Sequence, residues 1–424
     1  MAKPRKIYAH LLKQKNERKV SLLLGARQVG KTTLLKTLFE ELCVNQKEKG
    51  LFLDLDIFTN YEKVNTYENV LNTLKINGFQ EKKKENFYLF LDEFQRYGDI
   101  SIIMKNLYDN LPSVKVYASG SSSLKIKSLI QESLAGRKII NNIYPLDFEE
   151  FLWFKEDAEA IKHLKNVVSI KGENLFQAIG KLNDLLNEFL IFGGYPEVVL
   201  KNKKEEKIAV LESIFDLYIK KDLVEYLNIN KIMNVKKLIE YIAVNNGQKI
   251  KYEEICQVSS LDYNEVINYI EIIKETYLIA VVRPFFTNKN KELVKIPKIY
   301  FIDNGVRNYF TNNFTVLHLR HDQGTLFEAY CITELLKSGI HPEMIKFWQD
   351  KNKHEVDIII DEKQKQIPIE VKYKKMLKND DFLGLQSFLK EYPMKKAYLV
   401  NLSSQKKKKG LILRLPFHFW KCLL

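Results

Sequence analysis

The sequence predicts an α/β chain: a parallel sheet covered by helices in the first third, a helical stretch after it, and a second α/β region towards the C-terminus. Three observations carry that expectation. Short apolar segments without polar alternation recur through the first third, as in strands buried on both faces. Helical segments separate them. The composition, 46% hydrophobic and 28% charged over 424 residues, supplies the apolar material such layers need, and at roughly 150 residues per domain there is room for about three domains.

Several classes are excluded. Ten prolines and 17 glycines are too few for a collagen-like or extensively low-complexity chain. No apolar run approaches the roughly 18 residues that cross a bilayer, and the basic N-terminus, MAKPRKIYAHLLKQKNERK, lacks the apolar stretch of a signal peptide. A soluble, cytoplasmic protein with no membrane partner is expected. Cys43, Cys256, Cys331 and Cys422 lie far apart, without the spacing of a zinc or redox motif, and are expected as reduced thiols. The formal charge of +14 favours polyanions such as nucleic acid. Its lysines are spread through the chain, however, and the runs 82–84 and 406–409 read first as solvated loop and tail.

In order, strands are expected at residues 21–24, 51–55, 87–91, 115–119 and 139–143. Residues 147–230 turn helical, broken by FGGYP at 192–196, where two glycines and a proline force a turn. Three short helices follow between 234 and 275. The third opens on Ser259, Ser260 and Asp262 and carries Val266, Ile267, Ile270 and Ile273 on its apolar face. A strand at 280–284 and a lysine-rich turn at 288–291 complete the order of a winged helix-turn-helix. After Gly324 the expectation is helix 326–338, strands 345–349, 355–360 and 366–372, helix 380–390 and strand 396–402, a compact α/β module of its own.

Residues 25–32, GARQVGKT, fit G-x-x-x-x-G-K-[ST] directly after an apolar strand and directly before a helix. Gly25 and Gly30 let backbone N–H groups curl around a phosphate at the helix N-terminus. Lys31 is expected on the β- and γ-phosphates of ATP and Thr32 on Mg²⁺, with Arg27 and Thr33 completing the nucleotide contacts. The strand YLFL runs into Asp92 and Glu93. Asp92 would hold the Mg²⁺ shell and Glu93 would polarise the attacking water, a pairing that argues for hydrolysis. At the end of the fourth strand the serine run 119–123 offers hydroxyls, Ser121 among them, where a γ-phosphate sensor would sit. Arg27, Arg96 and Arg137 all fall in this module. Arg137 has three readings: a finger acting on a neighbouring subunit of a homo-oligomer, a sensor of its own nucleotide, or one half of a structural ion pair.

These motifs, with SGSS at 119–122, YPLDFEEF at 144–151, GGYPE at 193–197 and KIYFIDNGVRN at 298–308, resemble a bacterial and archaeal family of AAA+-type ATPases with a C-terminal domain of uncharacterised function. The resemblance runs over nearly the whole chain. It implies a P-loop ATPase core over 1–146, a helical lid over 147–230, a winged helix over 231–312 and a PD-(D/E)XK nuclease-like α/β domain over 313–424. A serine run stands where the first sensor of AAA+ proteins is usually Asn or Thr.

The last hundred residues carry their own pattern. EVD at 355–357 opens one apolar strand and IEVK at 369–372 ends the next, so a hairpin brings Asp357 towards Glu370 and the strand period of two puts Glu370 and Lys372 on one face. Two carboxylates suit Mg²⁺ or Mn²⁺, and a lysine beside them can orient or activate a water for attack on phosphorus. Glu328 on the preceding helix could complete the metal shell, and Gln386 stands about where some nucleases of this fold place a glutamine. The same residues also suit a scaffold that binds and cuts nothing, its carboxylates paired to lysines.

The third helix of the winged segment is acidic at Asp262, Glu265, Glu271 and Glu275, a poor surface for a phosphate backbone. Lys249, Lys251 and the turn lysines could make such contacts; a structural linker fits equally. The functional expectation is an Mg²⁺-dependent ATPase coupling nucleotide state to a nuclease-like module that contacts DNA rather than RNA. Its rivals are a signalling or scaffold NTPase with an inactive binding module, and a DNA-binding regulator switched by ATP.

Overall fold

In the computed structural model the described residues are 3–81, 85–121, 130–166, 173–218, 231–362, 365–403 and 407–417. Lys82–Lys84, Ser122, Ser123, Lys406 and Cys422 lie outside them. The chain forms two compact units, Met1–Tyr144 with Glu271–Tyr277, and Pro145–Ile270 with Leu278–Leu424. Cys43, Cys256 and Cys331 are free thiols, and no helix among the described residues is long and apolar enough to cross a membrane.

The first unit is built on five parallel strands: β1 (Val20–Gly25), β2 (Lys49–Asp54), β3 (Phe87–Asp92), β4 (Val114–Ser121) and β5 (Lys138–Ile143), in the order β2-β3-β4-β1-β5. The three central strands are buried along their whole length, which is why their sequences show no polar alternation. One face of the sheet, with Leu22, Leu24, Leu89, Leu91 and Val116, packs on Ile103, Met104 and Leu107 of the helix Ile100–Asn110. Parallel strands that all point one way bring the ends of β1, β3 and β4 to a single edge, where ligands of such sheets collect.

The second unit begins with the helices Phe148–Phe154, Ala158–Asn166 and Glu173–Phe192. After the break come Pro196–Leu200 and Lys204–Leu217, then Ile232–Val244, Tyr252–Ser259 and Tyr263–Glu275, the last belonging to the first unit from Glu271 on. Asp262 caps the last of these through the Glu265 amide at 2.9 Å, and the Glu265 carboxylate accepts the Asp262 amide in return. Val266, Ile270 and Ile273 are buried as expected from their spacing, but Ile267 is 40% exposed. One residue along a helix is a rotation of about 100°, which turns it off the apolar face.

The remaining strands are β6 (Ile279–Pro284), β7 (Lys298–Phe301), β8 (Ile345–Gln349), β9 (Glu355–Asp361), β10 (Gln366–Lys372), β11 (Ala397–Asn401), β12 (Lys407–Lys409) and β13 (Ile412–Pro416). They form one sheet, β12-β13-β11-β10-β9-β8-β6-β7. One expectation is corrected here. The lysine-rich turn at 288–291 is the start of a helix, Lys289–Val294, because Asn288 caps it and its Glu292 is buried against Lys346. The C-terminal strands share their sheet with the preceding hairpin, since β6 pairs in parallel with β8 through Arg283↔Lys346 and Pro284↔Phe347.

The GGYPE and KIYFIDNGVRN segments meet at a buried joint. The Asp303 carboxylate accepts the amides of Gly194 (2.7 Å), Gly305 (2.9 Å) and Val306 (3.1 Å). Gly193 has φ +75°, and a Cβ there would lie 1.9 Å from Asp303 Oδ1, so the close approach admits only glycine. Burial raises the Asp303 pKa against the pull of Lys337 and of those amides. Asp303→Ala orphans three buried donors and should cost about 2–4 kcal/mol in denaturant unfolding, with ATP affinity unchanged in the folded fraction.

Candidate functional sites

At the edge where β1 ends, Gly25 runs so close to β5 that a Cβ would lie 2.1 Å from the Ile143 carbonyl oxygen. The loop then bends through left-handed conformations at Gln28 (φ 59°) and Gly30 (φ 93°) before the helix Lys31–Phe39. This concentrates backbone N–H groups at a helix N-terminus. The buried Lys31 Nζ donates to the Ala26 carbonyl at 2.7 Å and the Gly25 carbonyl at 3.2 Å. Arg27 and Thr32 are half-buried in and after the loop, and Thr33 is exposed in the first helical turn.

Asp92 closes β3 and is 2% exposed; its carboxylate accepts the Ser119 hydroxyl. Glu93 follows in a left-handed conformation, φ 55°, rare for a glutamate and concentrated at functional sites. Its carboxylate accepts the Gln95 side-chain amide. Ser121, the last residue of β4, is buried and paired in register with Gly25, while Ser119 is the serine that reaches Asp92. One further residue escaped sequence reasoning: Arg5, which donates to the Val29 carbonyl of the loop at 2.8 Å and to the Tyr144 carbonyl at 2.9 Å, stood in an unremarkable basic stretch.

Of the three readings of Arg137, the ion pair is the one seen among the described residues. Arg137 precedes β5, and its carbonyl accepts the Val20 amide at the start of β1, so it lies at the sheet end opposite the phosphate loop. There it forms a two-pronged pair with Asp109, 2.8 and 3.1 Å, which raises the Arg137 pKa and lowers that of Asp109. It is not brought to the nucleotide of its own chain. Arg96 pairs with Asp56 at 2.8 Å.

The second site lies on β9 and β10. Their antiparallel register sets Ile358 opposite Ile369, so Asp357 and Glu370 face each other, both buried. Lys372 Nζ lies 2.5 Å from Glu370 and 3.9 Å from Asp357. Glu328, on the helix Gln323–Lys337, accepts the Tyr300 hydroxyl at 2.5 Å and the Lys298 ammonium at 3.3 Å. Lys298 also contacts Glu355. Carboxylate oxygens of Glu328, Glu355 and Asp357 lie within 4.8 Å of one another, a spacing that suits a shared cation. Glu355 as a ligand and Lys298 as their counter-ion were not expected; the signal for Lys298 was a lysine two residues from Tyr300 in an apolar strand. Gln386 is exposed on the helix Leu383–Glu391.

Burial first, and the charge of Glu328 second, push the Asp357 pKa up to about 7 against the pull of Lys372 and Lys298. Glu370 is raised by burial and by Asp357. Burial opposes the charges on Lys298 and Lys372, yet the surrounding carboxylates hold both ammoniums protonated, with raised pKa values. Four carboxylates face two ammoniums, and Glu370 Oε2 is buried without a hydrogen-bond partner. That surplus of negative charge and that orphaned oxygen fit a divalent cation.

Residues 17–152 match the AAA domain family. This part of the chain is an AAA-type ATPase domain. Beyond the AAA domain, residues 183–316 and 323–420 each match a domain of unknown function (DUF8612 and DUF4143). An uncharacterized protein of Methanocaldococcus jannaschii is 26% identical over 347 residues, 81% of this chain and 72% of that protein. One of Haemophilus influenzae is 22% identical over 299 residues, 68% of each. A Walker-type ATPase of Pyrococcus abyssi, 16% identical, aligns with 73% of this chain and 96% of its own, with a TM-score of 0.46.

Outside the AAA domain, the lysines expected to contact nucleic acid are mostly engaged. Lys249 donates to Gln349 at 2.5 Å, Lys251 pairs with Glu254 at 2.7 Å, and Lys289 pairs with Glu292 and Asp361 at 2.9 and 3.2 Å.

A raised carboxyl pKa makes stability fall with pH. Between about pH 4 and pH 7 folded Asp357 keeps a proton that the unfolded chain releases, so its contribution is present below the unfolded value and is lost as pH rises through the folded one. In metal-free buffer the stability of wild type relative to Asp357→Asn should therefore decline from pH 4 to pH 8. A flat difference would contradict the buried, protonated carboxyl.

Proposed function

We propose that the chain is an Mg²⁺-dependent ATPase whose second unit carries a divalent-cation site of the nuclease type, acting on DNA. In the AAA domain, Gly25, Arg27, Gly30 and Thr33 would shape the phosphate cradle and Lys31 would leave the loop carbonyls for the β- and γ-phosphates. Thr32 and Asp92 would hold Mg²⁺, Glu93 would position the attacking water, and Ser119 and Ser121 would report the γ-phosphate. The helices of 147–230 stand as a lid and 231–312 as a winged helix, with 313–424 contributing the nuclease-like fold. The element order supports this: three helices, an isolated bridge Lys249↔Lys298, and the hairpin β6/β7. ATP turnover would then be coupled to work on the nucleic acid.

The observation that carries the second half is the cluster on β9 and β10. Glu328, Glu355, Asp357 and Glu370 would hold the cation, which supplies Lewis acidity and a lowered water pKa when bound. Mg²⁺ is the expected ion, and Mn²⁺ would serve through the same oxygen ligands. Lys372, against Glu370, would orient the water and stabilise charge at phosphorus. One observation favours the rival reading, a binding module that cuts nothing: Lys298 already sits between Glu328 and Glu355.

Lys31→Ala should lose ATP binding, whereas Glu93→Gln should bind ATP and turn it over about 10²–10⁴-fold more slowly; normal turnover by the glutamine variant would remove Glu93 from the role. Asp357→Ala and Glu370→Ala should abolish Mn²⁺ binding in calorimetry and any metal-dependent cleavage across a DNA and RNA panel. Lys372→Ala should retain the metal and cleave slowly. ATP turnover should survive all three. A wild type that binds no divalent cation at this cluster and cuts nothing leaves the binding-module reading.

A further inference from the structure

A cavity of about 500 Å³ opens in the second unit between the helix Glu173–Phe192 and the segments that follow β10 and β11. Three cations line it: Lys375, Lys407 of β12 and Arg414 of β13. Among the described residues no carboxylate pairs with any of them. Two polar atoms at the cavity are buried without a hydrogen-bond partner, the donor Nε of Arg414 and the acceptor Oδ1 of Asn183. Orphaned groups of this kind cost free energy unless water or a ligand satisfies them.

Gly180 adds a third line of argument. It lies inside the helix Glu173–Phe192, its φ is not positive, and a Cβ built on it meets nothing within 4 Å. Neither the backbone nor packing requires glycine there, although glycine in a helix costs about 1 kcal/mol relative to alanine. It lines the cavity at an exposed position, so a larger side chain there would extend into open space.

The lining specifies a ligand. Three unpaired cations with a buried guanidinium N–H call for an anion of phosphate type. The Asn183 oxygen calls for a hydroxyl or N–H donor, and Ile179, Leu377 and Leu402 offer an apolar wall to a ring. The volume lies within the roughly 300–1,000 Å³ of small-ligand pockets. The cavity and the carboxylate cluster draw on the same pair of strands: Lys372 is paired in register with Asn401, and the Leu402 amide, at the cavity, donates to the Lys374 carbonyl at 3.0 Å.

We propose that this cavity binds one phosphate-bearing nucleotide unit, its phosphate on Lys375, Lys407 and Arg414 and its sugar or base donor on Asn183. Resting on the nuclease-type reading for its purpose, it would seat a nucleotide of the strand whose neighbouring phosphodiester reaches Glu370 and Lys372. Binding itself requires no cleavage.

The test is fluorescence anisotropy on the full chain in EDTA, with an internally labelled oligo(dT) as probe and with unlabelled oligo(dT), thymidine monophosphate and thymidine as competitors. Arg414→Gln and the double variant Lys375→Ala, Lys407→Ala should each weaken oligo(dT) binding about 10-fold or more. Gly180→Phe should weaken it comparably without changing charge, and ATP affinity should remain at the wild-type value as the check on folding. Thymidine monophosphate should compete and thymidine should not. Competition by the monophosphate as strong as by the oligonucleotide identifies a free nucleotide as the source, and weaker competition identifies the strand. Wild-type affinity in the charge variants and in Gly180→Phe together overturns the proposal. If the variants weaken binding while no protein cleaves with Mn²⁺, the cavity stands and the nuclease-type reading falls; if cleavage proceeds while the variants bind normally, the cavity falls and that reading stands.

Discussion

Four carboxylates face two ammoniums in the buried and half-buried cluster around β9 and β10, and that imbalance sets what the second unit can bind. Glu328 comes from a helix, Glu355 and Asp357 from β9, Glu370 and Lys372 from β10, and Lys298 from β7 at the far edge of the sheet. Burying ionised groups is expensive, and partial neutralisation by lysines leaves a residue of charge that protons or a cation must meet. The raised pKa of Asp357, about 7, is the protonic answer. A divalent cation is the other, and it would supply the chemistry that protons cannot.

The continuous sheet explains how such a cluster is assembled. Because β6 joins β8 in parallel, the hairpin β6/β7 is carried into the same layer as β9 and β10, and Lys298 and Tyr300, two residues apart on one strand face, both reach Glu328. The Asp303 joint beneath Gly193 and Gly194 fixes the helices that precede this hairpin. Residues grouped by a sequence motif thus serve two ends: Lys298 the charged cluster, Asp303 the scaffold.

How much was legible follows from how far apart the partners lie in the chain. The phosphate loop, Asp92 and the five parallel strands were legible because strand, loop and helix are consecutive, and local geometry places Gly25, Gly30 and Lys31. The facing of Asp357 and Glu370 was legible because a short turn and a period of two determine it. Lys298 and Glu355 were not, since their role depends on a helix and a strand brought together by long-range pairing. Arg137 shows the same limit from the other side: its spacing permitted a phosphate role, and only the strand order reveals that it stands at the opposite end of the sheet, bound to Asp109.

The account turns on whether the surplus charge is met by a metal. Anomalous diffraction from crystals grown with Mn²⁺ tests this most directly. The account predicts a manganese peak coordinated by oxygens of Glu328, Glu355, Asp357 or Glu370, with the Lys298 ammonium displaced from between Glu328 and Glu355. A cluster without a peak at saturating Mn²⁺, with Lys298 still seated between those carboxylates, would contradict it.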